Sequence, residues 1–226
     1  MTRERRFVAE ALGTCLLLAA VVGSGIMAER LAAGNMAIAL LCNAAATGGA
    51  LIALILTFGS ISGAHLNPAV TIFGSWDNGM SWPEVAGYGI AQLSGAIAGV
   101  GLANAMFGEP LFTPSRHLRT GFPQVLSEFV ATFGLLATIR GCSRLRPYGT
   151  AIAVAAYIVA AYWFTASTSF ANPAVTIARS LTDTFTGIRP ADVPAFILAQ
   201  LAGAGASTAL FRWLVPTEPA MTPHGR

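Results

Sequence analysis

The chain reads as two copies of one unit, each with an odd number of apolar spans, and that parity restricts the fold more than any other feature. VAEALGT at 8–14 opens one copy and LSEFVAT at 126–132 the other, while IAQLSGAIAG at 90–99 and ILAQLAGAGA at 197–206 close them. Between these markers lie LNPAVTIFGS from Leu66 and ANPAVTIARS from Ala171, which share NPAVTI. Apolar runs occupy 7–27, 36–58, 85–106, 125–139, 148–164 and 193–214. Each approaches the roughly 20 residues that a helix needs to cross a hydrocarbon core. Only 10% of the residues are charged and 54% are apolar, against about 25% charged in a soluble domain, so lipid is the solvent this surface fits. Three spans per copy make the second copy enter the membrane from the opposite face, giving an inverted repeat about an axis in the membrane plane. The expected fold is an all-α membrane protein with six transmembrane helices and two re-entrant half-helices. A single channel-like domain is expected over 1–226: repeat one at about 7–106, a connecting loop at 107–123, repeat two at about 124–214 and a tail at 215–226.

The run at 7–27 follows basic residues as a signal peptide does, but Glu10 inside it and its place in the repeat make it the first span. All 13 basic residues are arginines, which excludes lysine Schiff-base and Walker chemistry. The net charge of +3 is carried by loops and tails, the pattern of membrane flanks rather than of a nucleic-acid surface. Six spans put both termini on one face, together with Arg3, Arg5, Arg6, Arg140, Arg144, Arg146, Arg212 and Arg226. Arg30, Arg116, Arg119, Arg179 and Arg189 fall on the other, so the positive-inside rule makes the terminal face cytoplasmic. Cys15, Cys42 and Cys142 have no metal-ligand or paired spacing and read as packing residues; no metal or cofactor is expected. His117 and His224 stand alone in a loop and the tail, and no paired carboxylates or nucleophile constellation suggest an enzyme. Small residues at helical spacing, Gly95 with Gly99 and Gly203 with Ser207, permit close helix crossing.

Asn before Pro is a helix start. The side-chain oxygens of Asn67 and Asn172 would cap free backbone N–H groups, and Pro68 and Pro173 suit the first helical position, with Ala69 and Ala174 completing each motif. The helix-compatible stretch at 68–74 is seven residues, roughly 10 Å at 1.5 Å per residue, which can cover only part of a membrane. Backbone of that kind is tolerated at depth where protein or a watery cavity surrounds it. Two such starts meeting at the midplane imply a lined pore, with the asparagine amides left free to donate and two positive helix ends facing any cation. The product is a passage for neutral polar molecules that resists cations.

At this point the sequence resembles the aquaporin or major intrinsic protein family, through AEALGT, SGAHLNPAVT, IAQLSGAIAG, SEFVATF, ANPA and ILAQLAGA, across nearly the whole chain. The resemblance implies a homotetramer with one pore per subunit. It also implies that Glu10 and Glu128 accept hydrogen bonds from the re-entrant loop of their own half, where a buried acid otherwise suggests proton coupling. Carried over by spacing from the two asparagines, the family's outer constriction falls on Thr47, Ala160, Ser169 and Val175, with Phe170 in place of Ser169 if the loop is one residue shorter. The family usually has arginine where this chain has Val175. An isopropyl group removes a fixed charge, five donors and bulk, so the filter should be wide and uncharged. The second motif is similar to that of a bacterial branch of aquaglyceroporins linked to arsenic resistance. That likeness implies a bacterial-type inner membrane and makes metalloids such as arsenite and antimonite the leading solutes, beside water, glycerol and urea, with methylated arsenicals in range.

Arg179, one turn beyond Val175, reads either as an ion pair with Asp183 or as a charge moved to the vestibule, where it attracts oxyanions. His65 reads either as a structural histidine or as a protonation gate. Against the passive channel stand a glycerol, urea or water channel without a metalloid role and a proton-coupled secondary transporter, which can use the same inverted repeats and broken helices.

Overall fold

A computed structural model describes residues 1–214, apart from the side chains of Asp77, Asn78, Arg144, Leu145 and Pro147; the tail 215–226, with His224 and Arg226, lies outside the described residues. The first half comprises α1 (Arg3–Leu31), α2 (Met36–Ser62), the short α3 (Pro68–Asn78) and α4 (Trp82–Phe107). The second repeats the order with α5 (Phe122–Leu145), α6 (Thr150–Phe164), the short α7 (Pro173–Arg179) and α8 (Val193–Leu214). Polar caps and glycines set the boundaries. Asn35 Oδ1 accepts from the amides of Ala37 and Ile38 to start α2, and Gly63, Gly79 and Gly108 end α2, α3 and α4 in the left-handed region that only glycine enters without strain.

One span and one half-helix differ in length from the sequence expectation. Among the described residues five helices are long and apolar enough to cross a membrane, but α6 is 15 residues, roughly 22 Å, and is preceded by a 3₁₀ turn at Pro147–Gly149. It stops short because the chain turns inward at Thr165 to feed the second re-entrant loop. The first half-helix is longer than the seven residues expected: α3 continues through Gly74 to Asn78, 11 residues or roughly 16 Å, and stops where Gly79 takes φ 70°. One interior glycine costs a helix only about 1 kcal/mol, too little to end it.

Each half is held by a close helix crossing. A Cβ on Gly95 or Gly99 would overlap the carbonyls of Ala11 and Cys15, so α4 lies directly on the α1 backbone. Gly203 makes the same approach to the Phe129 carbonyl between α8 and α5. Lipid offers no hydrophobic drive between helices, so this intimacy supplies the dispersion contact that holds them. The half-helices sit between the halves: α7 packs on α4 as well as α8, and α3 on α8 as well as α4.

Candidate functional site

The two re-entrant loops share one hydrogen-bond plan. In the first half, the buried Glu10 carboxylate accepts from Ser62 Oγ (2.6 Å), the amides of His65 (2.9 Å) and Leu66 (2.7 Å), and Gln92 Nε2 (2.8 Å). In the second, Glu128 accepts from Ser167 Oγ, the amides of Phe170 and Ala171 (2.9 Å each) and Gln200 Nε2 (2.6 Å). Gln92 and Gln200 also donate to Thr71 and Thr176, whose hydroxyls donate to the carbonyls of Asn67 and Asn172. A buried carboxylate is unfavourable unless its lone pairs are filled, and here four donors fill each one. That geometry holds loop backbone and leaves neither acid facing the passage.

The same plan bends the backbone. Ala64 and Leu66 have φ 47° and 50°, and their counterparts Ser169 and Ala171 have φ 53° and 48°. These residues turn successive N–H groups toward the carboxylate. Gly63 is matched by Thr168, which holds φ 62° although a β-branched residue rarely does.

Asn67 and Asn172 start the half-helices as the sequence reading expects: Asn67 Oδ1 accepts from the Ala69 amide at 2.9 Å, and Asn172 Oδ1 from the amides of Ala174 (3.0 Å) and Val175 (3.3 Å). Their amides are not wholly free, which corrects that reading. Asn67 Nδ2 donates to the Ala171 carbonyl and Asn172 Nδ2 to the Leu66 carbonyl, both at 2.8 Å. Each NH₂ therefore spends one hydrogen bracing the other loop and keeps one. The cost of a bare amide at such depth explains the brace.

Both asparagines line a cavity of about 390 Å³ that runs from Arg140 and Ser143 at the terminal side, past His65, to Thr47, Ser169, Phe170, Val175 and Arg179. At about 30 Å³ per water it has room for roughly a dozen. Beyond Arg179 a second cavity opens on the opposite side, lined by Glu29, Asn43, His117, Arg119 and Thr168 among others. Arg179 lines both, so it stands where they meet. His117 is therefore not the isolated loop residue expected. His65 bonds through Nδ1 to Thr71 Oγ1 at 3.1 Å while lining the first cavity.

Of the four filter positions carried over by spacing, Ala160 is misplaced. It is exposed on the outer face of α6, whereas Val154, Ile158 and Tyr162 line the cavity at intervals of four. Two residues along a helix is more than half a turn, so a count that crosses a loop of different length lands on the wrong face. Tyr162 lines the cavity instead, its hydroxyl 3.2 Å from Thr47 Oγ1 on α2. The four-residue periodicity of α6 was the signal that could have found it. Ser169 and Phe170 both line the cavity, which keeps both candidates at the site, and Ser169 Oγ has no hydrogen-bond partner.

Arg179 does not pair with Asp183. Asp183 accepts from the Arg116 amide at 2.8 Å and faces its guanidinium at 3.8 Å. Arg179 turns inward, 2% exposed, with Nε donating to the Thr186 carbonyl. Arg119, which no motif marks, donates from Nε to the Gly187 carbonyl at 2.8 Å and from Nη1 to the Ser167 carbonyl at 3.0 Å, tying the connecting loop to the second re-entrant loop. Burial lowers the Arg119 pKa, with Glu128 and Tyr162 acting the other way. Among the described residues no group of three or more His, Cys, Asp or Glu is placed to hold a metal ion, and the cysteines are free thiols.

A family model described as Major intrinsic protein matches residues 1–145. The aquaglyceroporin AqpS of Rhizobium meliloti (strain 1021) is 54% identical over 216 residues, 95% of this chain and 92% of the relative. The probable aquaporin AqpM of Archaeoglobus fulgidus is 31% identical over 242 residues, covering 95% of this chain and 98% of the relative. The X-ray structure of the aquaglyceroporin from Plasmodium falciparum superposes with a TM-score of 0.71 at 20% identity, covering 95% of this chain and 98% of that one, a likeness of fold.

Proposed function

The chain belongs to the major intrinsic protein family, a multi-pass membrane channel and not an enzyme, and on that premise we propose that it is a passive pore for small uncharged polar solutes larger than water. The observation that carries this reading is the wall beside Arg179: Val175 supplies an isopropyl group, and Thr47, Tyr162 and Ser169 supply hydroxyls. A solute with several hydroxyls exchanges hydrogen bonds along that wall, then meets the remaining donors of Asn67 and Asn172, so it need not be bare at any point. Glycerol and urea fit this description. Hydroxylated metalloids such as arsenous and antimonous acid, neutral species with a glycerol-like set of hydroxyls, are the leading solutes, supported by the likeness of the second motif to the arsenic-linked branch. Methylated arsenicals are the charged exception to that class: as oxyanions they would be attracted by Arg179 at the junction.

A proton-coupled mechanism has less support, because Glu10 and Glu128 already accept four hydrogen bonds each. We infer further a homotetramer in a bacterial-type inner membrane with both termini cytoplasmic, the side richer in arginine. Reconstituted protein tests the reading: solute-driven shrinkage and reswelling of vesicles should show glycerol and arsenite entering down their own gradients, with no response to an imposed proton gradient. Water flux without glycerol or arsenite flux would remove the claim.

A further inference from the structure

Arg140 takes no part in the frame or the filter. The sequence reading places it with the arginines of the terminal face, but it lies within α5, 5% exposed, and lines the passage at its terminal-side end. Its Nη2 donates to the Phe73 carbonyl of α3 at 2.8 Å, so the side chain reaches from the second half to the first and its guanidinium is held in one orientation. The register that matches Glu10 with Glu128 matches Arg140 with Val22, which is fully buried. One half therefore stands with a valine at this position, and an ionisable group kept inside the membrane where a valine serves the fold points to a ligand. Two hydroxyls line the same end. Ser143 lies one turn on along the same face of α5 and is exposed at the rim, and Thr150 opens α6 with its Oγ1 buried and making no hydrogen bond. Gly74, next to Phe73, has open space where a Cβ would stand and lines the same cavity. Among the described residues no Asp or Glu lines this cavity, so its walls do not repel an anion.

We propose that Arg140, Ser143 and Thr150 form a binding site for a small tetrahedral oxyanion, such as phosphate, at the terminal-side mouth, and that its occupant closes the passage to solutes. The closure rests on the reading of the protein as a passive pore; the binding does not. A guanidinium presents its N–H donors as a planar fork that matches the oxygens of such an anion, and charge-assisted bonds of this kind are about twice as strong as neutral ones. The bond to Phe73 sets the fork before the ligand arrives. The Thr150 hydroxyl, which has no protein acceptor, donates to another oxygen, and the Ser143 hydroxyl meets the anion at the rim. A neutral solute offers the fork no charge and passes, whereas the anion stays where the solute must leave. The site opens to water at Ser143, so affinity at about the millimolar level is expected. A free phosphate and the phosphate of an anionic lipid headgroup share this chemistry.

Glycerol entry into proteoliposomes, followed by light scattering with sodium phosphate or osmotically matched sodium chloride on both sides, tests the site. In phosphatidylcholine vesicles about 10 mM phosphate should slow wild-type flux by about tenfold relative to chloride. Arg140→Gln should remove the difference, and Thr150→Val should raise the phosphate concentration needed by about fivefold. If a headgroup is the occupant, vesicles containing phosphatidylglycerol slow the flux without phosphate and Arg140→Gln restores it. Wild-type flux that is equal with and without phosphate and equal in the two lipids overturns the site, as does slowing that persists in Arg140→Gln. Should Arg140→Gln not fold, Thr150→Val carries the comparison, and an unchanged phosphate dependence in it overturns the site. Absent glycerol flux in chloride removes the pore reading instead. Binding is then read from the unfolding temperature in detergent, which phosphate should raise by about 3–5 °C in the wild type and leave unmoved in Arg140→Gln; no rise in the wild type overturns the site.

Discussion

The two re-entrant loops share a frame and differ in what hangs from it. Both rest on a glutamate with four donors, both turn the backbone through positive φ, and both reach an asparagine braced to the other loop. Even the residue after NPA is the same, Val70 in one half and Val175 in the other. Two of the differences between the halves bear most on the passage. His65 of the first loop corresponds to Phe170 of the second, and Gly74 of α3 corresponds to Arg179 of α7. A ring and a charge that stack on each other thus occupy one side of the passage, while the corresponding positions on the other side are a histidine and a glycine. The frame is duplicated and the chemistry is not, so symmetric substitutions should affect folding alike and permeation unequally.

The largest expected effect falls on the frame. Glu10→Ala and Glu128→Ala each strand two buried amides, a serine hydroxyl and a glutamine, and at about 1–3 kcal/mol for each orphaned group neither variant should hold its fold in detergent. Thermal unfolding followed by circular dichroism checks this, and a well-folded variant of either kind would break the equivalence of the halves. Gly95→Leu and Gly203→Leu come next, because the added side chain meets a helix backbone that has no slack. Losses of about 1–3 kcal/mol or more are expected in both. Asn67→Ala and Asn172→Ala each remove a cap and a brace, about 1 kcal/mol apiece, and should lower the unfolding temperature by similar amounts. The smallest effect sharpens the comparison rather than breaking it. Thr168→Gly should stabilise the protein by about 1 kcal/mol by relieving a left-handed threonine, and Gly63→Thr should do the reverse.

Much of the frame was legible because it is local. Repeat markers, the Asn-Pro starts and the acids in apolar runs are each readable from neighbours in the chain, and the parity of spans gave the inversion. The filter was less so, because it is assembled from elements whose separation depends on loop length. Val175 follows directly on the second Asn-Pro-Ala and lines the cavity, as does Thr47, counted back from Asn67 across the first re-entrant loop, whereas the same kind of count across the second loop reaches Ala160 and misses the cavity-lining Tyr162 by about half a turn. Arg119 carries no signal of its own; its position comes from a connecting loop held to the turn before α8 through Asp192, which accepts from the Arg119 amide at 3.0 Å, and to the second re-entrant loop through the Ser167 carbonyl. The partner of Arg179 also escaped, since spacing suggested Asp183 and packing chose Phe170.

The central claim is that Val175, beside Thr47, Tyr162 and Ser169, leaves that stretch of the passage wide and without a charged side chain. Val175→Arg measured in reconstituted vesicles against water, urea, glycerol and arsenite tests it most directly. The account predicts that the arginine cuts glycerol and arsenite flux by about tenfold or more while water flux falls less. Equal permeability of wild type and variant to every large solute would contradict it and put the constriction elsewhere.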